Sequence, residues 1–278
     1  MGRPGDDDQT ETERSRRDRT GVRRFRATVE YDGTDFAGFQ VQPGRRTVQG
    51  ALEAALARLT GGMRQPVDGA GRTDAGVHAT GQVVAFSYDG SLSTAALAEA
   101  LNGNLPRDVA IRNLRPAPRG FQPRYAARYR EYRYVIWNGP RSPLRDRTSF
   151  RVRSPLDTAA MALAAAILVG RHDFSAFGGP DPQPVRTIHR IAIRRTGDEV
   201  TIDVRADAFL RGMVRRIVAA LIAVGTGKID EGAIRAALAA GEPAFGGAAA
   251  PARGLCLRRV VLGRRRRDNE SKSNIEDQ

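Results

Sequence analysis

The chain alternates between segments in which every second residue is hydrophobic and segments in which hydrophobic residues recur every three to four positions. The first pattern predicts half-buried strands and the second predicts amphipathic helices. Strands are predicted at 25–31, 66–70, 82–88, 109–114, 129–137, 189–195, 200–206 and 256–262. Helices are predicted at 47–59, 93–102, 156–170 and 208–225, the third of them opened by Ser154 and Pro155.

The order of these elements repeats along the chain as two successive β-α-β-β-α-β units. This order predicts an α+β fold made of two ferredoxin-like halves, with antiparallel sheets joined around a central basic cleft. The predicted boundaries place an N-terminal half at 25–118 and a C-terminal half at 119–263. The flanking segments 1–24 and 264–278 are polar and mixed in charge, so we expect disordered tails there.

The positive charge of the chain lies in the predicted folded body. The formal net charge is +14, and residues 25–263 carry 33 basic against 21 acidic side chains. Residues 107–153 alone contain 13 arginines and three acids. A folded body with this excess favours a nucleic acid as partner.

Other features of the composition narrow the class of protein. A single cysteine, Cys256, excludes an internal disulfide and suits a reducing compartment. Hydrophobic runs fall short of the roughly 20 residues that a membrane span needs, and the N-terminus lacks the apolar core of a secretory signal. We therefore expect a cytoplasmic protein without a membrane segment.

One carboxylate stands out in the stretch GAGRTDAGVHATGQVVAF, residues 69–86. Asp74 lies among glycines and small residues directly before a predicted strand, where glycines allow a sharp turn or a close approach to a ligand. A plain turn or cap is one interpretation. A metal site with His78 is another, but one carboxylate and one histidine are too few ligands. A Ser-His-Asp site is the third, but the supporting elbow motif is missing.

Two further segments carry candidate binding residues. Side chains two apart in a strand share a face, so Arg128, Arg130 and Tyr132 are expected on one side, with Tyr129 and Trp137 in the core on the other. An aromatic ring beside arginines suits an unstacked base beside its phosphates, although core packing also explains a lone tyrosine.

In the last predicted helix, Arg215 and Arg216 both emerge among small or apolar neighbours. A poorly solvated arginine requires an acidic partner. Helical geometry alone does not separate these two candidates.

Several longer stretches identify a family. The sequence resembles the tRNA pseudouridine synthase A family over about residues 25–262. The resemblance is carried by GRTDAGVHA (71–79), VEYDGTDFAGFQVQ (29–42), TVQGALEAAL (47–56), LNGNLPRDVAI (101–111), YREYRYVIWN (129–138), AFLRGMVRRIV (208–218) and ARGLCL (252–257).

The resemblance implies conversion of uridine to pseudouridine at positions 38, 39 and 40 of the tRNA anticodon stem-loop, by a homodimer that uses no metal or organic cofactor. It makes Asp74 the nucleophile toward a flipped base, attacking either the uracil ring or the sugar. Tyr132 would stack on the uracil, Arg215 would pair with the aspartate, and Arg72 would hold the flipped nucleotide's phosphate or fill its vacated place.

Two other functions fit the same sequence. A noncatalytic RNA-binding protein acting as a tRNA chaperone would need the basic surface but not Asp74. A pseudouridine synthase of the same type could also act on another RNA, because a basic groove does not specify which RNA fills it.

Overall fold

The computed structural model describes residues 21–243 and 246–263. In this part of the chain the strands are β1 (Arg23–Tyr31), β2 (Val67–Gly69), β3 (His78–Tyr88), β4 (Val109–Pro116), β5 (Ala127–Trp137), β6 (Phe150–Arg151), β7 (Gly170–Asp173), β8 (Val185–Thr196), β9 (Glu199–Ala206) and β10 (Leu255–Leu262). The α-helices are α1 (Val48–Leu59), α2 (Thr94–Asn104), α3 (Pro123–Ala126), α4 (Thr158–Ile167), α5 (Met213–Gly225) and α6 (Glu231–Ala240). The predicted α+β class is confirmed.

The predicted tails fall mostly outside the described residues. β1 begins at Arg23, so the folded body starts earlier than the predicted boundary at 25. Within the described ranges, no helix is both long and apolar enough to cross a membrane.

The strands form one continuous sheet rather than two separate ones. Its order is β4-β1-β3-β10-β5-β9-β8-β7, with β2 beside β3 and β6 beside β5. The last strand, β10, pairs parallel with β3 and antiparallel with β5. Both β4-β1-β3-β2 and β10-β5-β9-β8 follow the strand order of a ferredoxin-like unit. β2 covers only residues 84–86 of β3, so the first residues of β3 remain open as an edge, and His78 and Ala79 pair there with Cys256 and Leu257 of β10.

Two helices begin later than their hydrophobic patterns predict. α4 begins after Asp157, whose carboxylate accepts hydrogen bonds from the amides of Ala159 and Ala160 at 2.9 Å. Ser154 and Pro155 therefore precede the cap. α5 begins at Met213 because Gly212 has a φ of 70°, in the left-handed region, and breaks the helical path. Residues 208–212 form a loop instead.

The two faces of β5 have different environments. Tyr132, Tyr134 and Ile136 are buried and join the core that contains the apolar side of α5. Tyr129 and Trp137 lie on the other, half-buried face, where the guanidinium groups of Arg205 and Arg145 cover their rings at 4.7 and 4.3 Å. The expectation that Tyr129 and Trp137 form the core is therefore wrong.

Candidate active site

Asp74 lies in the loop between β2 and β3, directly before the point where β3 pairs with β10. The Val77 amide donates to the Asp74 carbonyl at 3.2 Å, and Gly76 has a φ of 77°, so the chain turns sharply after the carboxylate. A Cβ added to Gly38 would lie 2.8 Å from the Thr73 carbonyl oxygen, which explains the glycine there. The Asp74 side chain is 30% exposed and can reach a ligand.

Buried polar side chains of the sheet hold this loop in place by hydrogen bonds. The Gln82 amide, on β3, donates to the Gly71 carbonyl at 2.8 Å, and the Tyr31 hydroxyl, on β1, lies 2.8 Å from the Thr73 hydroxyl. Both supporting residues are buried. The segment from Gly71 to Thr73 is therefore fixed to the sheet, and the position of Asp74 is fixed with it.

Arg215 reaches Asp74 from the first turn of α5. Its Nη1 lies 3.3 Å from Asp74 Oδ2, and its Nε donates to the Ala250 carbonyl at 2.6 Å. The neighbouring Arg216 instead donates to the carbonyls of Gly247 and Arg211, at 3.3 and 3.1 Å. The structure thus separates the two arginines that helical geometry leaves equivalent. Arg215 is held by two contacts and presents a positive charge to the carboxylate.

Tyr132 lies on β5 near this pair, with only 8% of its surface exposed. Burial raises the pKa of its hydroxyl to about 12; the nearby Arg130 lowers it and the Asp74 carboxylate raises it. The ring of Phe209, in the loop before α5, contacts Tyr132 edge-on with centroids 5.2 Å apart. Phe209 is a site residue that the sequence reasoning missed, although it lies within the AFLRGMVRRIV segment that carries the resemblance.

Arg130 is buried, contrary to the expectation that it faces RNA. Its Nε and Nη2 donate to the Ala70 carbonyl at 3.2 and 2.6 Å, and its Nη1 donates to the Asp207 carbonyl at 2.8 Å. The guanidinium thus joins the Asp74 loop to the loop that carries Phe209. This geometry suits a residue that positions the Asp74 loop.

Arg128 and Arg72 are exposed, and within the described ranges neither guanidinium makes an ion pair or a hydrogen bond. A register shift in the pairing of β5 with β10 sets Tyr129 opposite Val261 and Ala127 opposite Leu262. Arg128 is therefore the extra residue of a β-bulge and does not share a face with Arg130 as strict alternation predicted. Both exposed arginines are free to contact an anionic ligand.

His78 does not join Asp74 in a metal site. Its Nδ1 accepts from the Gly33 amide at 3.1 Å, and its Nε2 lies 2.9 and 3.1 Å from the carbonyls of Arg147 and Arg253. Among the described residues, no group of three or more His, Cys, Asp or Glu side chains could hold a metal ion. His78 instead ties together three loops beside the site.

Comparison with known proteins shows the family to which the chain belongs. A family model described as tRNA pseudouridine synthase matches residues 27–126 and 164–261. tRNA pseudouridine synthase A of Brevibacillus brevis is 43% identical over 244 residues, covering 86% of this chain and 100% of that protein. The Myxococcus xanthus protein of the same name is 44% identical over 242 residues, covering 85% of this chain and 91% of its own.

Solved structures add little to the assignment. An archaeal box H/ACA sRNP Nop10-Cbf5 complex aligns with 71% of this chain and 44% of its own at a TM-score of 0.30 and 13% identity, which is too weak to support an argument.

The sequence matches place the protein in the class of isomerases that act on tRNA. The chain belongs to the tRNA pseudouridine synthase family, whose reaction converts uridine to pseudouridine. The family and the enzyme class that the sequence motifs predict are confirmed.

Proposed function

We propose that the protein isomerises uridines 38, 39 and 40 in the anticodon stem-loop of tRNA, with Asp74 as the nucleophile. The observation that supports this most directly is the 3.3 Å contact between Asp74 Oδ2 and Arg215 Nη1, on a loop fixed to the sheet. The three positions come from the family resemblance. A homodimer has the same source, whereas a cytoplasmic location rests on the composition of the sequence, and both belong to the proposal.

The reaction needs one activated carboxylate and no electron carrier. The bond between uracil N1 and ribose C1′ breaks, a bond between uracil C5 and C1′ forms, C5 loses a proton and N1 gains one. Nothing is oxidised, and no group enters or leaves. Asp74 forms a transient covalent bond to either the sugar or the uracil ring. Arg215 orients the carboxylate and stabilises its negative charge until that bond forms.

The target base must leave its stack to reach this site, because the Asp74 side chain is only 30% exposed within a loop. Tyr132 then provides an aromatic surface for the flipped uracil, which requires Phe209 to make room. Arg72, exposed two residues before the aspartate, contacts the flipped nucleotide's phosphate or fills the vacated position. Arg128 contacts the RNA backbone.

Mapping pseudouridines in cellular tRNA tests the proposal. Strains lacking the protein should lose the modification at positions 38–40, wild-type protein should restore it, and Asp74→Asn protein should not. Loss confined to another RNA would establish the second enzymatic alternative. An unchanged map in every RNA would leave the noncatalytic tRNA-binding alternative.

Tyr132 variants test the proposed base platform. Tyr132→Phe should keep the stacking surface, worth roughly 1–3 kcal/mol per base, whereas Tyr132→Ala should lose it and bind the substrate less tightly. Because the pKa of the hydroxyl is about 12, this group stays protonated at neutral pH. If the hydroxyl assists removal of the C5 proton, Tyr132→Phe will bind normally and turn over slowly. Near-wild-type rates for both variants would show that Tyr132 only fills the core.

Arg130 and Arg128 should respond differently to neutralisation. Arg128→Gln should weaken tRNA binding and flatten the dependence of log affinity on log salt by about one unit, because one phosphate contact is lost. Arg130→Gln should leave that slope unchanged and slow single turnover by about 10-fold or more, because the Asp74 loop loses its anchor. The two variants can be compared in one salt titration. An equal loss of slope in Arg130→Gln would show that Arg130 contacts RNA.

A further inference from the structure

A large aromatic side chain is exposed on the short helix α3. Tyr125 is 78% exposed, whereas the other tyrosines Tyr31, Tyr88, Tyr132 and Tyr134 are buried and Tyr129 is half-buried. A tyrosine ring held in water gains nothing from hydrophobic burial. The exposed ring therefore either contacts a binding partner or has no function. The residues around it distinguish these two alternatives.

The surroundings of Tyr125 are strongly positive. Residues 109–130 contain six arginines and no acidic residue. Three of these arginines, Arg119, Arg124 and Arg128, are exposed on the same short stretch of chain as the ring. An exposed aromatic ring among exposed arginines is a poor match for an apolar protein surface. It is a good match for a nucleic acid, in which a base stacks on the ring and the adjacent phosphates contact the arginines.

The same buried guanidinium that holds the Asp74 loop also holds α3. Arg130 Nη2 donates to the Ala70 carbonyl at 2.6 Å and to the Arg124 carbonyl at 3.2 Å. The residue before Tyr125 is therefore fixed beside the start of the Asp74 loop. On the other side, Arg24 donates to the Phe121 carbonyl at 3.0 Å and pairs with Asp68 on β2. The first turn of the helix and the segment just before it are therefore held by residues that also contact β2 and the Asp74 loop.

We propose that Tyr125, with Arg124 and Arg128, forms a stacking site for an unpaired nucleotide of the RNA substrate next to the target uridine. This inference rests on the proposed action on tRNA. The ring takes the face of a base without regard to its identity, and the two arginines contact the phosphates on either side. The site binds a nucleotide other than the reacting uridine, so it contributes to substrate binding rather than to the chemical step.

The test compares Tyr125→Ala, Tyr125→Phe and the control Leu144→Ala, whose side chain is 95% exposed outside this surface. Loss of a stacked base should weaken tRNA binding by roughly 5- to 150-fold in Tyr125→Ala. Tyr125→Phe and Leu144→Ala should stay within about two-fold of wild type, because the stacking face is kept or not involved. The single-turnover rate at saturating tRNA should be the same in all four proteins.

Three results would overturn the proposal. They are wild-type affinity in Tyr125→Ala, equal losses in Tyr125→Ala and Tyr125→Phe, and a change of oligomeric state in sedimentation that accounts for the loss of binding. The last would place the ring in a protein interface. Failure of the proposed function would be seen in a different measurement, because the wild-type protein would then form no pseudouridine at positions 38–40. The comparison of tRNA affinities between the Tyr125 variants would still test the stacking site.

Discussion

Replacing Asp74 by asparagine should stop pseudouridine formation while tRNA binding stays within a few-fold of wild type. The amide has the size and shape of the carboxylate, so the loop and its support by Gln82 and Tyr31 remain. An amide cannot serve as the nucleophile, and we expect the single-turnover rate to fall by at least about 10³-fold. Product formation and affinity should be measured on the same tRNA transcript.

A matched control for Asp74→Asn is Asp198→Asn, the same chemical change at an exposed turn between β8 and β9. This control should keep wild-type activity. A measurable fraction of the wild-type rate in Asp74→Asn would remove Asp74 from the role of nucleophile. Equal losses of activity in Asp74→Asn and Asp198→Asn would indicate a general effect of the lowered negative charge.

The second large effect is expected at Arg215. Arg215→Met should slow the reaction by about 100-fold or more, equivalent to about 3 kcal/mol, because the half-buried Asp74 carboxylate loses its partner. Arg215→Lys should recover only part of this loss, since an ammonium group cannot contact both Asp74 and the Ala250 carbonyl in the way the guanidinium does.

The neighbouring Arg216 provides the control for Arg215. Both side chains emerge from the first turn of α5, but Arg216 contacts backbone carbonyls of other loops. Arg216→Met should therefore leave the rate within about three-fold of wild type, as is usual for substitutions outside a reacting site. Similar rates for Arg215→Met and Arg216→Met would show that the contact with Asp74 does not contribute to catalysis.

Hydrophobic periodicity predicted most of the elements, but it predicted neither α6, β6 and β7 nor the way in which the two units join. The predicted strand at 200–206 corresponds to β9, at Glu199–Ala206, and the predicted hairpin with β8 is present. The pairing of Leu257 with Ala79 connects residues far apart in sequence, and local patterns carry no information on such partners. The start of α5 was misplaced because periodicity does not register the left-handed backbone of Gly212.

The site was predictable where a residue stands in an unusual local context. Asp74 is such a residue, a single acid among glycines. Arg130 is not, because strict alternation placed it with Arg128, and only the bulge at Arg128 shows that their environments differ. No sequence pattern indicated a role for Gln82 either, since a polar residue within a strand normally faces solvent. Its burial beneath the Asp74 loop depends on the three-dimensional packing of β3.

The most direct measurement uses tRNA transcripts that carry tritium at C5 of the uridines at positions 38–40 alone. Formation of pseudouridine replaces the C5–H bond by a C5–C1′ bond, so the label passes to water as the product forms. The wild-type protein should release the label, and Asp74→Asn should bind the same transcript and release none above the rate without protein. Release by Asp74→Asn, or no release by the wild-type protein, would contradict the assignment of Asp74 as the nucleophile that modifies these uridines.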